Sequence, residues 1–292
     1  MVRGQKPKPR AFSGTRGRGA GVGSRAELDP CHTERGEIVA DSRRVLPVRG
    51  SDAGQWEGPN PWDLSVWGVE MGKGGDEVKA AEVAARIDAE IQALEVRNTP
   101  NVRKVRRRYS DLYSEADTGL ILAVARELME TYDHRWVAYE LLRNHEGAFR
   151  SLDEAELEAF GQGMDSWHAV DSFARTLSGP AWLHGQVSDA VIHGWAHAED
   201  RWWRRAALVS TVALNVRSRG GRGDVPRTLA VCRLLVEDHD DMVVKALSWA
   251  LRQLVVHDRD AVWAFLREHD GALAARVKRE VRNKLTTGLK NP

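Results

Sequence analysis

From Asp76 to the C-terminus the chain places apolar residues every three or four positions, with only short polar breaks between runs. That period matches a helical turn, so each run presents one apolar stripe that a neighbouring element must cover. Val78, Val83, Ile87, Ile91 and Leu94 mark the first run, expected to form a short helix without an aromatic. Thr99-Pro100 breaks the pattern and restarts it, because proline suits a first helical turn. The segment that follows carries Arg103, Lys104, Arg106, Arg107 and Arg108. This gives either a solvated face or a helix that contacts phosphates. Further helices are expected near residues 117–130, 133–145, 153–162, 165–174, 188–198, 201–216, 225–237, 240–256, 259–268 and 271–285. No useful stretch alternates polar and apolar residues as a strand would. The expected fold is all-α. Helical pairs arriving roughly every 35–45 residues with divergent sequence suggest a HEAT-like α-solenoid over residues 76–292.

Bulk properties narrow the function classes. A net charge of +1 argues against coating nucleic acid by charge alone, so any such surface must be a local patch. No run of about 20 apolar residues reads as a membrane span. Cys31 and Cys232 suggest no disulfide framework, which fits a reducing cytoplasm. The chain has eleven tryptophans against four tyrosines and five phenylalanines, and Trp202 and Trp203 are adjacent, which a simple core seam does not require.

Three stretches carry side chains suited to chemistry. In DSWHAVDSFA, Trp167 and Asp171 lie four residues apart and share a helical face, with Asp165 or Ser166 able to cap its start. An indole plane followed by a carboxylate can hold a cationic ring with negative charge beside it; a seam Trp with a rim Asp is the plainer alternative. In RWWRRAAL, capped by Asp200, Arg201 and Arg205 share a side, and paired guanidinium donors suit phosphate. A surface salt-bridge helix is the alternative there. In KALSWALRQ, Lys245, Trp249 and Arg252 put an aromatic among cations, although by pattern alone Trp249 is more readily a core residue than a ligand-facing one. His193 and His197 stand four apart without a third ligand, so no metal or other cofactor is expected.

Together these stretches resemble the DNA alkylation repair glycosylases of the AlkD type, which are HEAT-like solenoids. Their Trp-x-x-x-Asp helix is similar to Trp167 with Asp171. Their Arg followed by small and apolar residues is similar to Arg205 in RRAAL, and their Lys-Ala-x-x-Trp-x-Leu-Arg helix to Lys245–Arg252. The helix after Thr99-Pro100 also resembles their early helix, and the likeness runs from about residue 80 to 285. The resemblance implies excision of cationic N3- or N7-alkylated purines from double-stranded DNA by a cytoplasmic, nucleoid-associated monomer. Asp171 would be the catalytic carboxylate, and Trp167 and Trp249 would flank the nucleotide. Arg205 would grip the backbone phosphate, joined by Arg201, Lys245, Arg252, Arg103 and Arg107. Family members are thought to act with the lesion still stacked, but these residues leave stacking and flipping both open. The other readings are a catalytically silent nucleic-acid-binding solenoid and a protein-interaction scaffold.

The likeness leaves residues 1–72 outside. Gly, Arg, Pro and Ser dominate there, and Arg3, Lys6, Lys8, Arg10, Arg16, Arg18 and Arg25 occur before any acid. Such a segment buries too little apolar area to offset ordering its backbone, so a disordered basic tail is expected, either an added source of nonspecific DNA affinity or without specific function. Translation is expected to begin at Met71, just before the first regular helix. N-terminal mass spectrometry of the native protein would then return no peptide from residues 1–70.

Overall fold

The computed structural model describes residues 73–292, with side chains from Val78 onward; the expected tail and the expected start at Met71 lie outside the described residues. The first helix, α1 (Lys73–Gln92), is 20 residues long, not short. Its stripe runs Ala80, Val83, Ala84, Ile87 and Ile91, while Val78 is exposed. Val78 lies five positions before Val83, which turns it off that face. Helix α2 (Thr99–Leu112) begins as expected. Asn98 Oδ1 accepts from the Asn101 amide at 3.0 Å, and Pro100 takes the first turn, where no backbone donor is needed.

Three helices follow, α3 (Thr118–Glu130), α4 (Arg135–Asn144) and α6 (Glu154–Gly161), close to their expected bounds. Between the last two sits α5 (Glu146–Arg150), which the apolar period alone does not reveal. It starts because the His145 ring replaces a conventional cap, with Nδ1 accepting from the Ala148 amide at 3.0 Å.

The expected helix at 165–174 starts later and runs on. It comprises α7 (Trp167–Phe173), a π turn (Ala174–Ser178) and α8 (Gly179–Leu183) in continuous succession. Beyond it lie α9 (Asp189–Ala196), α10 (Arg201–Asn215), a 3₁₀ turn (Arg217–Arg219), α11 (Val225–Leu234), α12 (Asp241–Leu254), α13 (Arg259–Glu268) and α14 (Ala275–Thr287). Asp200 caps α10 as expected, its carboxylate accepting from the Trp202 amide at 2.9 Å. The described residues form no strand.

The helices stack in two layers. Helices α2, α4, α7, α10, α12 and α14 each pack on the next, while α1, α3 and α5, and then α9 and α11, cover their backs. This is the hairpin-on-hairpin arrangement of a helical solenoid, in which every repeat buries its stripe on its neighbours. Helix α10 is flanked on all sides and buried from Arg205 to Asn215. Its polar side chains are therefore matched internally. Ser210 Oγ shares a 2.8 Å hydrogen bond with Ser178 Oγ, and Asn215 Nδ2 donates to Thr228 Oγ1 at 2.9 Å.

Helix α8 meets α10 at Gly179. A Cβ there would lie 2.8 Å from the Ser210 carbonyl oxygen, 2.8 Å from Ala213 Cβ and 2.7 Å from the Ala174 carbonyl oxygen. Two of these are backbone atoms with little freedom to retreat. Gly179→Ala is expected to cost about 1–3 kcal/mol through overpacking. Urea unfolding would show a lower midpoint at unchanged slope; an unchanged midpoint would mean the seam yields freely.

Candidate active site

Every residue named from sequence as a site candidate lies in one layer of the stack. Arg103 and Arg107 are on α2, Trp167 and Asp171 on α7, Arg201 and Arg205 on α10, and Lys245, Trp249 and Arg252 on α12. The capping residue of α7 is Ser166, whose Oγ accepts from the Ala169 amide at 3.4 Å. That sets Trp167 in the first turn and Asp171 one turn later, facing α10.

Asp171 and Arg205 meet in a two-pronged ion pair. Nε of Arg205 donates to Oδ1 at 2.9 Å and Nη2 to Oδ2 at 2.9 Å, while Nη1 donates to the Met242 carbonyl at 2.6 Å. The side chains are only 6% and 16% exposed for Arg205 and Asp171. Burial raises the Asp171 carboxyl above its ordinary value of 3.8; the charge and hydrogen bonds of Arg205, then Arg175 and His168, oppose that rise. The result is a carboxylate withdrawn from water and fixed in direction by a planar fork.

Aromatic groups frame this pair. Arg175, one turn beyond Asp171, lies with Cζ 5.5 Å from the centroid of the half-buried Trp249 ring. Trp167, also half-buried, has the exposed His168 ring against it, with centroids 3.3 Å apart and a 30° tilt. Asp171 therefore looks toward neighbouring groups of its own layer rather than into bulk solvent.

The cations chosen from sequence to hold phosphate are placed differently from expectation. Arg205 is buried and holds Asp171 instead of a free surface. Arg252 is also buried, with Nε 3.3 Å from Ser248 Oγ and 4.0 Å from Glu280. Lys245 pairs with Asp241 at 2.9 Å, and Arg201 reaches Asp240 at 3.4 Å while covering the Trp202 ring. Arg103 bonds to Glu140 through Nε at 2.9 Å and through Nη2, which leaves Arg107 exposed, its Nε donating to the Arg103 carbonyl at 3.3 Å. Helical spacing assigns these cations to helices of one layer, but it does not show the acids that adjacent helices bring to them.

Conversely, several residues here were not singled out from sequence. Arg175 had a signal, since it continues the i, i+4 line through Trp167 and Asp171. Glu140, Arg143 and Arg219 had none, because their meeting depends on how separate repeats stack. Among the described residues, no group of three or more His, Cys, Asp and Glu side chains is placed to hold a metal ion. None of their helices is long and apolar enough to cross a membrane.

Removing Arg205 tests the pair. In Arg205→Met the buried carboxylate loses its counter-charge, and stability at neutral pH should fall by about 3 kcal/mol. Loss of this cation raises the Asp171 carboxyl further, so in the variant Asp171 takes up a proton at higher pH. Acidification neutralises Asp171 in both proteins, so the stability difference narrows as pH falls. Urea unfolding across pH would show this convergence; a constant difference would place the cost in lost packing.

A comparison with curated proteins found no match. Residues 69–285 of the 292 match the family described as DNA alkylation repair enzyme, a span that includes the helices carrying Asp171 and Arg205. The chain belongs to the DNA alkylation repair enzyme family.

Proposed function

We propose that the protein is a monofunctional DNA glycosylase that hydrolyses the N-glycosidic bond of cationic N3- or N7-alkylated purines in duplex DNA. The observation that carries this reading is the Asp171 carboxylate, desolvated and aimed by Arg205 in the same layer as two half-buried indoles. Membership of a DNA repair family supplies the substrate class.

The chemistry follows from charge. An alkylated purine is already a fixed cation, so its bond to the sugar is weak. As that bond breaks, its electron pair moves onto the base, which leaves neutral, and positive charge develops on C1′. A carboxylate beside C1′ stabilises that charge; at 4 Å and an effective dielectric of about 20, opposite charges interact by about 4 kcal/mol at most. The same carboxylate orients the water that adds to C1′ and accepts its proton. Desolvation strengthens this attraction, and Arg205 opposes the loss of charge that burial favours while keeping the group pointed. Arg205 thus serves as a positioning residue. The indoles of Trp167 and Trp249 can attract a cationic base by about 0.5–2 kcal/mol, an attraction that a neutral purine lacks.

A silent DNA-binding scaffold is favoured by one observation: both Asp171 oxygens already accept from Arg205. Each oxygen still has a second acceptor direction, which a water can use. The readings separate in one assay. Purified protein incubated with duplex containing N7-methylguanine should release free base, and Asp171→Asn should slow release by about 10²–10⁴-fold. Release at the wild-type rate from Asp171→Asn would remove its catalytic role, and binding without release by the wild type would favour the scaffold. Because burial raises the Asp171 carboxyl, the acid limb of the wild-type rate should lie above pH 3.8.

A further inference from the structure

The distribution of acids among the site's cations is uneven. All the Lys and Arg side chains of α10 and α12 are matched by carboxylates: Arg201 by Asp240, Arg204 by Asp238, Arg205 by Asp171, Lys245 by Asp241 and Arg252 by Glu280. A second set is not matched. Among the described residues, no carboxylate lies within ion-pair distance of Arg143, Arg175 or Arg219.

These three come from separate parts of the chain and are brought to one region. Arg143 lies on α4, which packs against both α7 and the π turn that carries Arg175. Arg219 ends the 3₁₀ turn after α10, and its Nη1 donates to the Arg175 carbonyl at 3.1 Å. Arg175 in turn lies over Trp249, and Arg143 lies 4.2 Å from the Phe149 ring centroid. The carboxylates of this region are already taken: Glu140 by Arg103 Nε at 2.9 Å and Arg106 Nε at 3.0 Å, and Asp171 by Arg205.

Arg175 and Arg219 are exposed and Arg143 is half-buried. Loss of water pushes the Arg143 guanidinium below its ordinary value, and the same loss, then repulsion from Arg175, does so for Arg219. Glu140 works against the shift of Arg219, while Arg143 and Arg103 add to it. Arg219 feels the positive charge of Arg175 and Arg143, and the nearby carboxylates of Glu140 and Asp171 are already held by other arginines, so an anion here would relieve the repulsion. Guanidinium forks match phosphate oxygens, and phosphates of duplex DNA succeed one another at short, regular spacing.

We propose that Arg143, Arg175 and Arg219 form a phosphodiester-binding site that holds the DNA backbone beside Asp171. The proposal rests on the repair reading only for the identity of the polyanion. It assigns backbone contact to side chains that adjacent acids leave available, in place of the neutralised set on α10 and α12. It also gives Arg175 two neighbours, the indole of Trp249 and the backbone, so phosphate binding and lesion reading meet at one residue.

The test uses undamaged duplex, so it is independent of base excision. Fluorescence anisotropy would follow binding of the full chain to a short DNA duplex between about 50 and 200 mM salt. Each phosphate contact contributes about 0.9 to the slope of log affinity against log salt. Arg143→Gln, Arg175→Gln and Arg219→Gln should each flatten the slope by about that amount, and the corresponding Lys variants should restore it. Arg233→Gln is the control, because exposed Arg233 lies on α11 in the covering layer and pairs with Glu268. Slopes unchanged in all three Gln variants, with wild-type melting curves, would overturn the proposal. So would flattening that Lys does not restore, since that would mark a structural loss. Flattened slopes in a protein that releases no methylated base would uphold the phosphate site and sink the glycosylase reading; base release with unchanged slopes would do the reverse.

Discussion

The site depends on a single ion pair held in poor contact with water. A carboxylate and a guanidinium in solution lose as much hydration on meeting as they gain in attraction. In a buried setting the balance turns on geometry. Here the geometry is favourable: both oxygens of Asp171 face two donors of Arg205, and the remaining fork of Arg205 is tied to the Met242 carbonyl. Three helices, α7, α10 and α12, are therefore joined through one guanidinium. Asp171 cannot rotate without breaking two charged hydrogen bonds, so its direction is set before any substrate arrives. That fixity is what a reaction developing positive charge needs, because a preorganised carboxylate does not have to reorient during bond breaking.

The pair also explains why α10 is the axis of the fold. Its N-terminal half delivers Arg205 toward α7, and the rest is buried against α8, α9, α11 and α12. A helix so enclosed has few ways to shift. The close contact at Gly179 and the internal pairing of Ser210, Thr211 and Asn215 act on the same element. Packing energetics and site geometry are thus carried by the same residues.

Much of this was legible in the sequence. The 3.6-residue period located nearly all the helices, and side-chain chemistry gave Asp200 as the cap of α10 and narrowed the cap of α7 to Asp165 or Ser166. The Trp167–Asp171 spacing put an aromatic and an acid on one face. What was not legible is pairwise and long-range. Nothing local says that Arg205 meets Asp171 across 34 positions, or that Glu280 closes off Arg252. Cations read singly looked available for phosphate, whereas stacking brings acids to most of them. The true length of α1 and the existence of α5 were also hidden. Ala80 and Ala84 carry the α1 stripe quietly, and α5 relies on a histidine cap that pattern reading does not anticipate.

The π turn after Asp171 links these points. In a regular α-helix, residues following Asp171 would keep rotating by about 100° each, so successive turns would stay in register on one stripe. The widened turn at Ala174–Ser178 holds one residue more, its end marked by the Gly179 amide donating to the Ala174 carbonyl. Every side chain beyond it is turned relative to Trp167 and Asp171. The part before the turn can then present Trp167 and Asp171 to the site, while the part beyond it buries Ala181 and Trp182 in the core. Such insertions strain a helix slightly and persist where they re-aim functional groups. Here the re-aiming lets one continuous segment both build the core and hold a carboxylate in a layer of cations.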